Sequence, residues 1–238
     1  MEREISRRFF LALAGGAMVM PRIVMREESV PTLIDHILLG CNDLQRGIDF
    51  VEERTGVRAA FGGVHPGRGT QNALLSLGER RYLEIIVPDP DQPDAKGPLV
   101  LHLRKLSEPR IVGWAAHPGD LGSFARKLGD AGVAFEGPTP GSRKRPDGRV
   151  LNWKTINLKD DRGGSLPFFI EWSADSKHPS EDAPHGCKLD SFSAASPNPD
   201  GLLQLLKTLG VEMPVERGEK EHFLTKISSS KGSLEINS

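Results

Sequence analysis

The fold is decided by residues 34–90, a stretch that begins with the apolar run Ile34-Asp35-His36-Ile37-Leu38-Leu39-Gly40. An apolar run of this length between turn residues is typical of a buried strand. Asp43 then predicts the N-terminal cap of a helix that ends at Gly56. Three strand-like segments follow, around residue 64 and over residues 72–77 and 81–87. The stretch is therefore predicted to form one β-α-β-β-β unit.

Two ionisable side chains fall inside the predicted apolar strands of this unit, His36 in the first strand and Glu84 in the last. A carboxylate in an apolar strand costs several kcal/mol unless it is paired, hydrogen-bonded or bound to a metal. Both residues are therefore candidates for a functional site. The alternative is a structural role, in which Glu84 points to solvent or bonds to Arg81 or Lys154.

The same pattern returns in residues 111–172, which are predicted to form a second β-α-β-β-β unit. Asp120 predicts the cap of its helix, and its last strand contains Glu171 where the first unit has Glu84. The second unit is longer than the first in the loop 138–148, where an insertion costs little. The chain therefore contains at least two copies of one supersecondary pattern.

A third and shorter copy of the pattern is predicted in residues 187–238, after a polar linker. Its last strand again holds a glutamate, Glu235, after an apolar residue. Its first strand has no histidine, because Asp190 or Ser191 stands in the comparable place. The third unit is therefore expected to contribute least to a shared site.

The composition indicates a globular protein that has no electrostatic reason to bind nucleic acid or an anionic membrane. Of the 238 residues, 37% are hydrophobic and 26% are charged, and the formal net charge is -1. Cys41 and Cys187 have no CxxC spacing and cannot form a zinc site by themselves. They are expected to be buried free thiols rather than a disulfide.

The first 26 residues are predicted to be a targeting segment outside the fold. The run Ser6-Arg7-Arg8-Phe9-Phe10-Leu11 precedes an apolar segment too short to span a bilayer, and it resembles the bacterial twin-arginine export signal. This resemblance implies an exported or periplasmic protein that keeps no membrane anchor. The alternative is a cytoplasmic protein whose true first residue is Met25.

Three motifs together resemble the glyoxalase-like branch of the vicinal oxygen chelate superfamily, which includes glyoxalase I, extradiol dioxygenases and bleomycin-resistance proteins. They are Leu33-Ile34-Asp35-His36-Ile37, the glycine-rich stretch 62–72, and Tyr82-Leu83-Glu84-Ile85. The resemblance implies an α+β fold in which repeated βαβββ modules form a curled mixed sheet around a cup. We expect the modules within residues 31–174 to form the cup, and the third module to pack outside it or to serve self-association as a homodimer. In the competing arrangement, the third module pairs within the chain.

The resemblance also implies a divalent metal ion, Mn²⁺, Fe²⁺, Zn²⁺ or Ni²⁺, bound by residues from the first and fourth strands of each module. Carried over to this chain, the ligands are His36, Glu84 and Glu171. The fourth position falls on Gly113, which has no side chain to offer. Glu171 is also the predicted catalytic carboxylate, which would move a proton while the metal polarises a carbonyl.

Three further residues are predicted to bind the substrate. His65 lies in a glycine-rich loop that could reach over the cup, and Arg143 and Arg145 lie in a basic hairpin that could hold an anion. A solvated turn is the alternative for the two arginines. His178, in the linker before the third unit, is interpreted as a surface histidine, and the alternative is a residue that joins the site from the linker.

The function implied by the resemblance is that of a metal-dependent lyase, isomerase or dioxygenase acting on a small oxygenated substrate. The alternative is a small-molecule-binding protein of the resistance type, without turnover, and the missing ligand at Gly113 favours it. Hydrolase motifs such as Gly-x-Ser-x-Gly are absent from the sequence.

Overall fold

The first 29 residues lie outside the part of the chain that the computed structural model describes, which is residues 30–238. The predicted twin-arginine segment, residues 1–26, is therefore outside the described residues. Within residues 30–238, no helix is long and apolar enough to cross a membrane. Cys41 and Cys187 are buried free thiols, as predicted.

The first unit has the predicted order of elements. It consists of β1 (Ile34–Gly40), α1 (Leu44–Thr55), β2 (Ala60–His65), β3 (Thr70–Ser76) and β4 (Tyr82–Pro88). The predicted helix boundaries are confirmed, because the Asp43 side chain accepts a hydrogen bond from the Arg46 backbone N–H and Gly56 adopts a left-handed φ of 65°. A short helix, α2 (Pro98–Leu103), leads to the second unit.

The second unit repeats this order. It consists of β5 (Arg110–Ala116), α3 (Leu121–Asp130), β6 (Phe135–Lys144), β7 (Val150–Leu158) and β8 (Phe168–Trp172). Asp120 caps α3 by accepting a hydrogen bond from the Ser123 backbone N–H. The predicted cap of this helix is therefore confirmed as well.

The eight strands of the two units form one mixed sheet in the order β2-β3-β4-β1-β5-β8-β7-β6. β1 and β5 pair antiparallel at its centre, and each pairs parallel with the last strand of its own unit. The sheet curls until its edge strands meet, and a side chain at Gly63 would collide with the Lys144 backbone carbonyl. The predicted α+β class with a curled mixed sheet is confirmed.

The third segment has the predicted order of elements but a different sheet. After α4 (Pro179–Asp182), it consists of β9 (Cys187–Ser196), α5 (Pro199–Thr208), β10 (Val215–Arg217), β11 (His222–Ser229) and β12 (Ser233–Asn237). The strand order is β10-β9-β11-β12, so the second strand, rather than the fourth, lies parallel beside the first. Element order does not fix which strands pair, so the third segment has the predicted βαβββ order but a strand order of its own.

The four-stranded sheet shares a hydrophobic core with the larger sheet. Trp114 of β5 makes edge-to-face contacts with Phe192 and Phe223 of the small sheet, at centroid distances of 5.3 and 6.3 Å. Leu202 and Leu206 of α5 belong to the same core cluster. The small sheet therefore covers the outer side of the eight-stranded sheet and leaves its concave face open.

Candidate functional site

The concave face of the eight-stranded sheet encloses a cavity of about 660 Å³. This volume is typical of small-molecule sites, which occupy roughly 300–1,000 Å³. Its walls are mainly apolar and aromatic, and they include Leu38, Ile86, Trp153, Phe168, Ile170 and Trp172. A polar cluster consists of His36, His65, Asn72 and Glu84 of the first unit and Arg143 of the second.

The alternation of side chains along β4 directs the Glu84 carboxylate into this cavity. Tyr82, Glu84 and Ile86 of β4 line the cavity, whereas Leu83 and Ile85 between them lie in the core on the other side of the sheet. Glu84 is 6% exposed, so its charge needs partners within the protein.

Three side chains surround the Glu84 carboxylate. The Asn72 amide donates to Oε1 at 2.6 Å, the Nε2 atom of His36 lies 3.4 Å from Oε2, and the Nε2 atom of His65 lies 3.7 Å from Oε1. Burial alone would raise the pKa of Glu84, but the His65 and His36 rings, the Asn72 hydrogen bond and the Arg143 guanidinium outweigh it and lower the pKa. Glu84 is therefore ionised at neutral pH.

His65 lies at the end of β2 and is neutral at the same pH. Burial lowers its pKa to about 4, and the positive charges of Arg143 and Arg68 act in the same direction, against the opposing effect of Glu84. Its Nδ1 atom lies 2.8 Å from the Thr70 hydroxyl oxygen. His65 therefore offers a neutral polar ring to the cavity.

Arg143 enters the cavity from β6, at the opposite edge of the sheet from β2. Its side chain is 3% exposed, and its guanidinium Nη1 donates to the side-chain oxygen of Asn72. Gly62 makes this approach possible, since a Cβ atom there would lie 2.5 Å from that Nη1 atom. Asn72 thus links a buried cation to the buried anion of Glu84.

His36 is held by a second buried carboxylate, that of Asp35, which the sequence interpretation overlooked. The register between β1 and β5 shifts between Ile34 and His36, and Asp35 Oδ1 lies 2.7 Å from His36 Nδ1. Asp35 also receives the indole N–H of Trp172 and contacts Nε2 of His178. The signal available in the sequence was a second ionisable residue inside the same apolar strand.

Comparison with known proteins gives the family. A family model described as a glyoxalase-like domain matches residues 34–210. The chain belongs to the glyoxalase-like domain family. The predicted likeness to the vicinal oxygen chelate superfamily is thereby confirmed. No curated protein matches the chain.

Two solved structures illustrate the likeness of this glyoxalase-like domain protein to known folds. A hypothetical protein from Staphylococcus aureus is 16% identical, with a TM-score of 0.59 over 86% of this chain and 84% of that chain. A methylmalonyl-CoA epimerase from Mycobacterium tuberculosis is 19% identical, with a TM-score of 0.43 over 63% of this chain and 92% of that chain. The first of these likenesses shows the fold.

Two predicted site residues of the glyoxalase-like domain lie outside the cavity. Glu171 is on the opposite face of β8 from Ile170, and its Oε2 atom accepts the backbone N–H of Leu121 at the start of α3, at 2.6 Å. Strand alternation sets this direction, so the prediction of Glu171 as ligand and catalytic residue is corrected. Arg145 pairs with Asp182 of α4 at 2.7 Å, and its predicted contact with substrate is also corrected.

The metal site implied by the family does not fit the residues that the structure describes. The first unit supplies His36 and Glu84 to the cavity, but Gly113 and Ile170 of the second unit line it without offering a donor atom. Within residues 30–238, no group of three or more His, Cys, Asp or Glu side chains is arranged to hold a metal ion. A buried guanidinium, that of Arg143, lies beside Glu84 instead.

His178, interpreted from the sequence as a surface histidine, is 2% exposed and contacts Asp35 beneath the cavity wall. Asn72 and Tyr82 are the other site residues to which the sequence interpretation assigned no role. Both belong to motifs that carried the family resemblance, and the alternation of β3 and β4 could have placed them on the face of Glu84.

Proposed function

We propose that this cup is the active site of an isomerase- or lyase-type enzyme that moves a proton on a small oxygenated substrate. The observation that carries the proposal is the position of His36 between two buried carboxylates. Its Nδ1 atom lies 2.7 Å from Asp35, and its Nε2 atom lies 3.4 Å from Glu84 at the cavity wall. A histidine oriented by one carboxylate and facing a substrate cavity has the arrangement of a general base.

The chemistry follows from the charges around the cavity. A C–H bond next to a substrate carbonyl breaks, its proton passes to Nε2 of His36, and the electron pair moves to the carbonyl oxygen. The fixed positive charge of Arg143 stabilises the resulting oxyanion. Return of the proton to carbon completes an isomerisation, whereas departure of a leaving group completes a lyase reaction.

Glu84 assists by its position rather than by its basicity. Because its pKa is lowered, the carboxylate remains charged and stabilises the protonated His36 ring that forms during the reaction. Proton transfer is favoured over dioxygenation because the described residues supply a base, His36, and a partner for the oxyanion, Arg143.

A second candidate is a binding protein without turnover. It is favoured by the half of the cavity that the second unit builds, where Trp153, Phe168, Ile170 and Trp172 offer a broad apolar surface and Gly113 offers no side chain. Such a surface retains a ligand without acting on it.

Hydrogen–deuterium exchange separates the two candidates. Small carbonyl acids, aldehydes and ketones are incubated with the full-length protein in D₂O, and loss of the proton next to the carbonyl is followed by NMR. The enzyme proposal expects exchange that His36→Gln abolishes and Glu171→Gln retains. A compound that raises the melting temperature but never exchanges supports the binding protein.

A further inference from the structure

Asp35 is a fully buried carboxylate in contact with three rings. The Nδ1 atom of His36 lies 2.7 Å from its Oδ1 atom, while the Nε1 atom of Trp172 and the Nε2 atom of His178 lie 3.1 and 3.2 Å from its Oδ2 atom. Burial opposes ionisation, but the hydrogen bonds from His178 and His36 outweigh it and hold the pKa of Asp35 well below its usual range. Asp35 is therefore an anion that accepts from all three rings.

The proton positions on both histidines follow from their neighbours. The backbone N–H of Ser180 points at Nδ1 of His178 at 3.2 Å, and because a backbone N–H can only donate, this Nδ1 atom accepts. The Nε2 atom of His178 then carries the ring proton and donates it to Asp35. Asp35 can only accept, so its hydrogen bond with His36 places the proton of that ring on Nδ1. The Nε2 atom lies 3.4 Å from Glu84 without a hydrogen bond to it, and it faces the cavity.

Ring packing holds this arrangement in place. Tyr82 stacks on His36 with centroids 4.5 Å apart and ring planes 18° apart. His178 makes edge contacts with Tyr82 and Trp172, each at 5.7 Å. The linker that carries His178 is fastened to the second unit by the ion pair between Asp182 and Arg145.

We propose that Asp35 and His178 form a positioning pair, in which Asp35 fixes the tautomer and orientation of His36, and His178 fixes the orientation of Asp35. The catalytic consequence rests on the proposed function, whereas the tautomer can be measured without substrate. The linker before the small sheet therefore contributes a positioning residue to the site and does not only connect the two sheets.

The proposal predicts an inverted tautomer in Asp35→Asn. The donors of Trp172 and His178 select the amide oxygen, so the NH₂ group faces His36 and its Nδ1 atom must accept. In the full-length protein labelled with ¹⁵N-histidine, we expect the Nδ1–H signal of His36 in the wild type and the Nε2–H signal in Asp35→Asn. Adding His178→Phe to that variant removes one of the two donors that orient the amide, and part of the Nδ1–H signal should return.

If Asp35→Asn does not fold, the single variant His178→Phe tests the proposal instead. It keeps an aromatic ring against Tyr82 but removes the donor to Asp35, and we expect a measurable fraction of Nε2–H His36, while His178→Gln, which retains a donor, restores the wild-type signal. His185→Phe, an exposed histidine of the same linker, is the control and should change nothing.

The positioning role is overturned if the folded variants have a lower melting temperature but an unchanged His36 tautomer. Where a substrate exchanges, Asp35→Asn should lower kcat by on the order of 100-fold or more with little change in KM, because a wrong tautomer cannot take the proton. If the variants shift the His36 tautomer but the wild-type protein exchanges none of the substrates, the proposed function is refuted. The positioning pair is then still supported.

Discussion

Arg143 and Asn72 are joined by a hydrogen bond across the seam where the curled sheet closes. Arg143 comes from β6, at one end of the strand order, and Asn72 comes from β3, the strand next to the other end. The same Asn72 amide donates to Glu84 at 2.6 Å, so its two ends are fixed by a cation and an anion. The guanidinium retains further N–H groups that can bind a substrate oxygen.

Replacing Arg143 should therefore weaken the binding of carboxylate or carbonyl ligands. A hydrogen bond to a charged group contributes about 1.5–3 kcal/mol, so Arg143→Gln should raise the Kd by roughly 10- to 150-fold. Calorimetric titration of a ligand found in the exchange screen measures this. Arg145→Gln is the matched control, because Arg145 pairs with Asp182 outside the cavity. An equal loss of affinity in both variants would contradict the assignment of Arg143 as a ligand-binding residue.

Gly62→Ala should displace Arg143 from the cavity. The added Cβ would lie 2.5 Å from the guanidinium Nη1 atom and would also collide with the Asn72 side chain. Overpacking of this kind typically costs about 1–3 kcal/mol of unfolding free energy, which urea denaturation detects. Gly113→Ala provides the control in the same sheet, since nothing lies within 4 Å of a Cβ atom there. An unchanged stability of Gly62→Ala would show that the seam is looser than described.

The free energy of unfolding should fall between pH 6.5 and pH 4 because of His65. Its pKa is about 4 in the folded protein and 6.5 for an exposed ring, so the unfolded chain binds a proton that the folded chain rejects. The contribution of neutral His65 to the free energy of unfolding is therefore fully present above pH 6.5. It is lost as the pH falls toward 4, by about 3 kcal/mol in total. Urea denaturation at several pH values should show a shallower dependence in His65→Gln. The control variant His185→Gln, at an exposed residue, should show the same pH dependence of the free energy of unfolding as the wild type.

Divalent metal ions should not stabilise the folded protein specifically. Because Gly113 and Ile170 offer no donors on one side of the cup, we expect Mn²⁺, Fe²⁺, Zn²⁺ and Ni²⁺ to leave the melting temperature unchanged. Melting curves of the wild type, His36→Ala and Glu84→Gln, with and without each metal, check this. A rise in the wild type that both variants lose would establish a metal site built by the first unit alone.

Export through the twin-arginine route is also testable on the full-length chain. Changing Arg7 and Arg8 to lysine should retain the protein in the cytoplasm, because the arginine pair is the feature that identifies the signal. Cell fractionation with antibody detection measures the distribution. Arg3→Lys, which keeps the pair intact, is the control. A wild-type protein found in the cytoplasm would favour a start at Met25.

The secondary-structure elements and their order could be predicted from local sequence patterns. Apolar runs between turn residues predicted the strands, and the caps at Asp43, Gly56 and Asp120 predicted where helices begin and end. These features depend on interactions within a few residues, which a single sequence displays. The same local reasoning marked His36 and Glu84, because an ionisable side chain inside an apolar strand needs a partner.

The pairing of the strands and the contacts between side chains could be read only from the folded chain. Since strand faces alternate, a shift of one residue separates Ile170 in the cavity from Glu171 at the start of α3. The strand order of the third segment and the approach of Arg143 across the seam depend on contacts between distant parts of the chain. His178 reaches Asp35 for the same reason, because folding joins residues 143 positions apart that no local pattern relates.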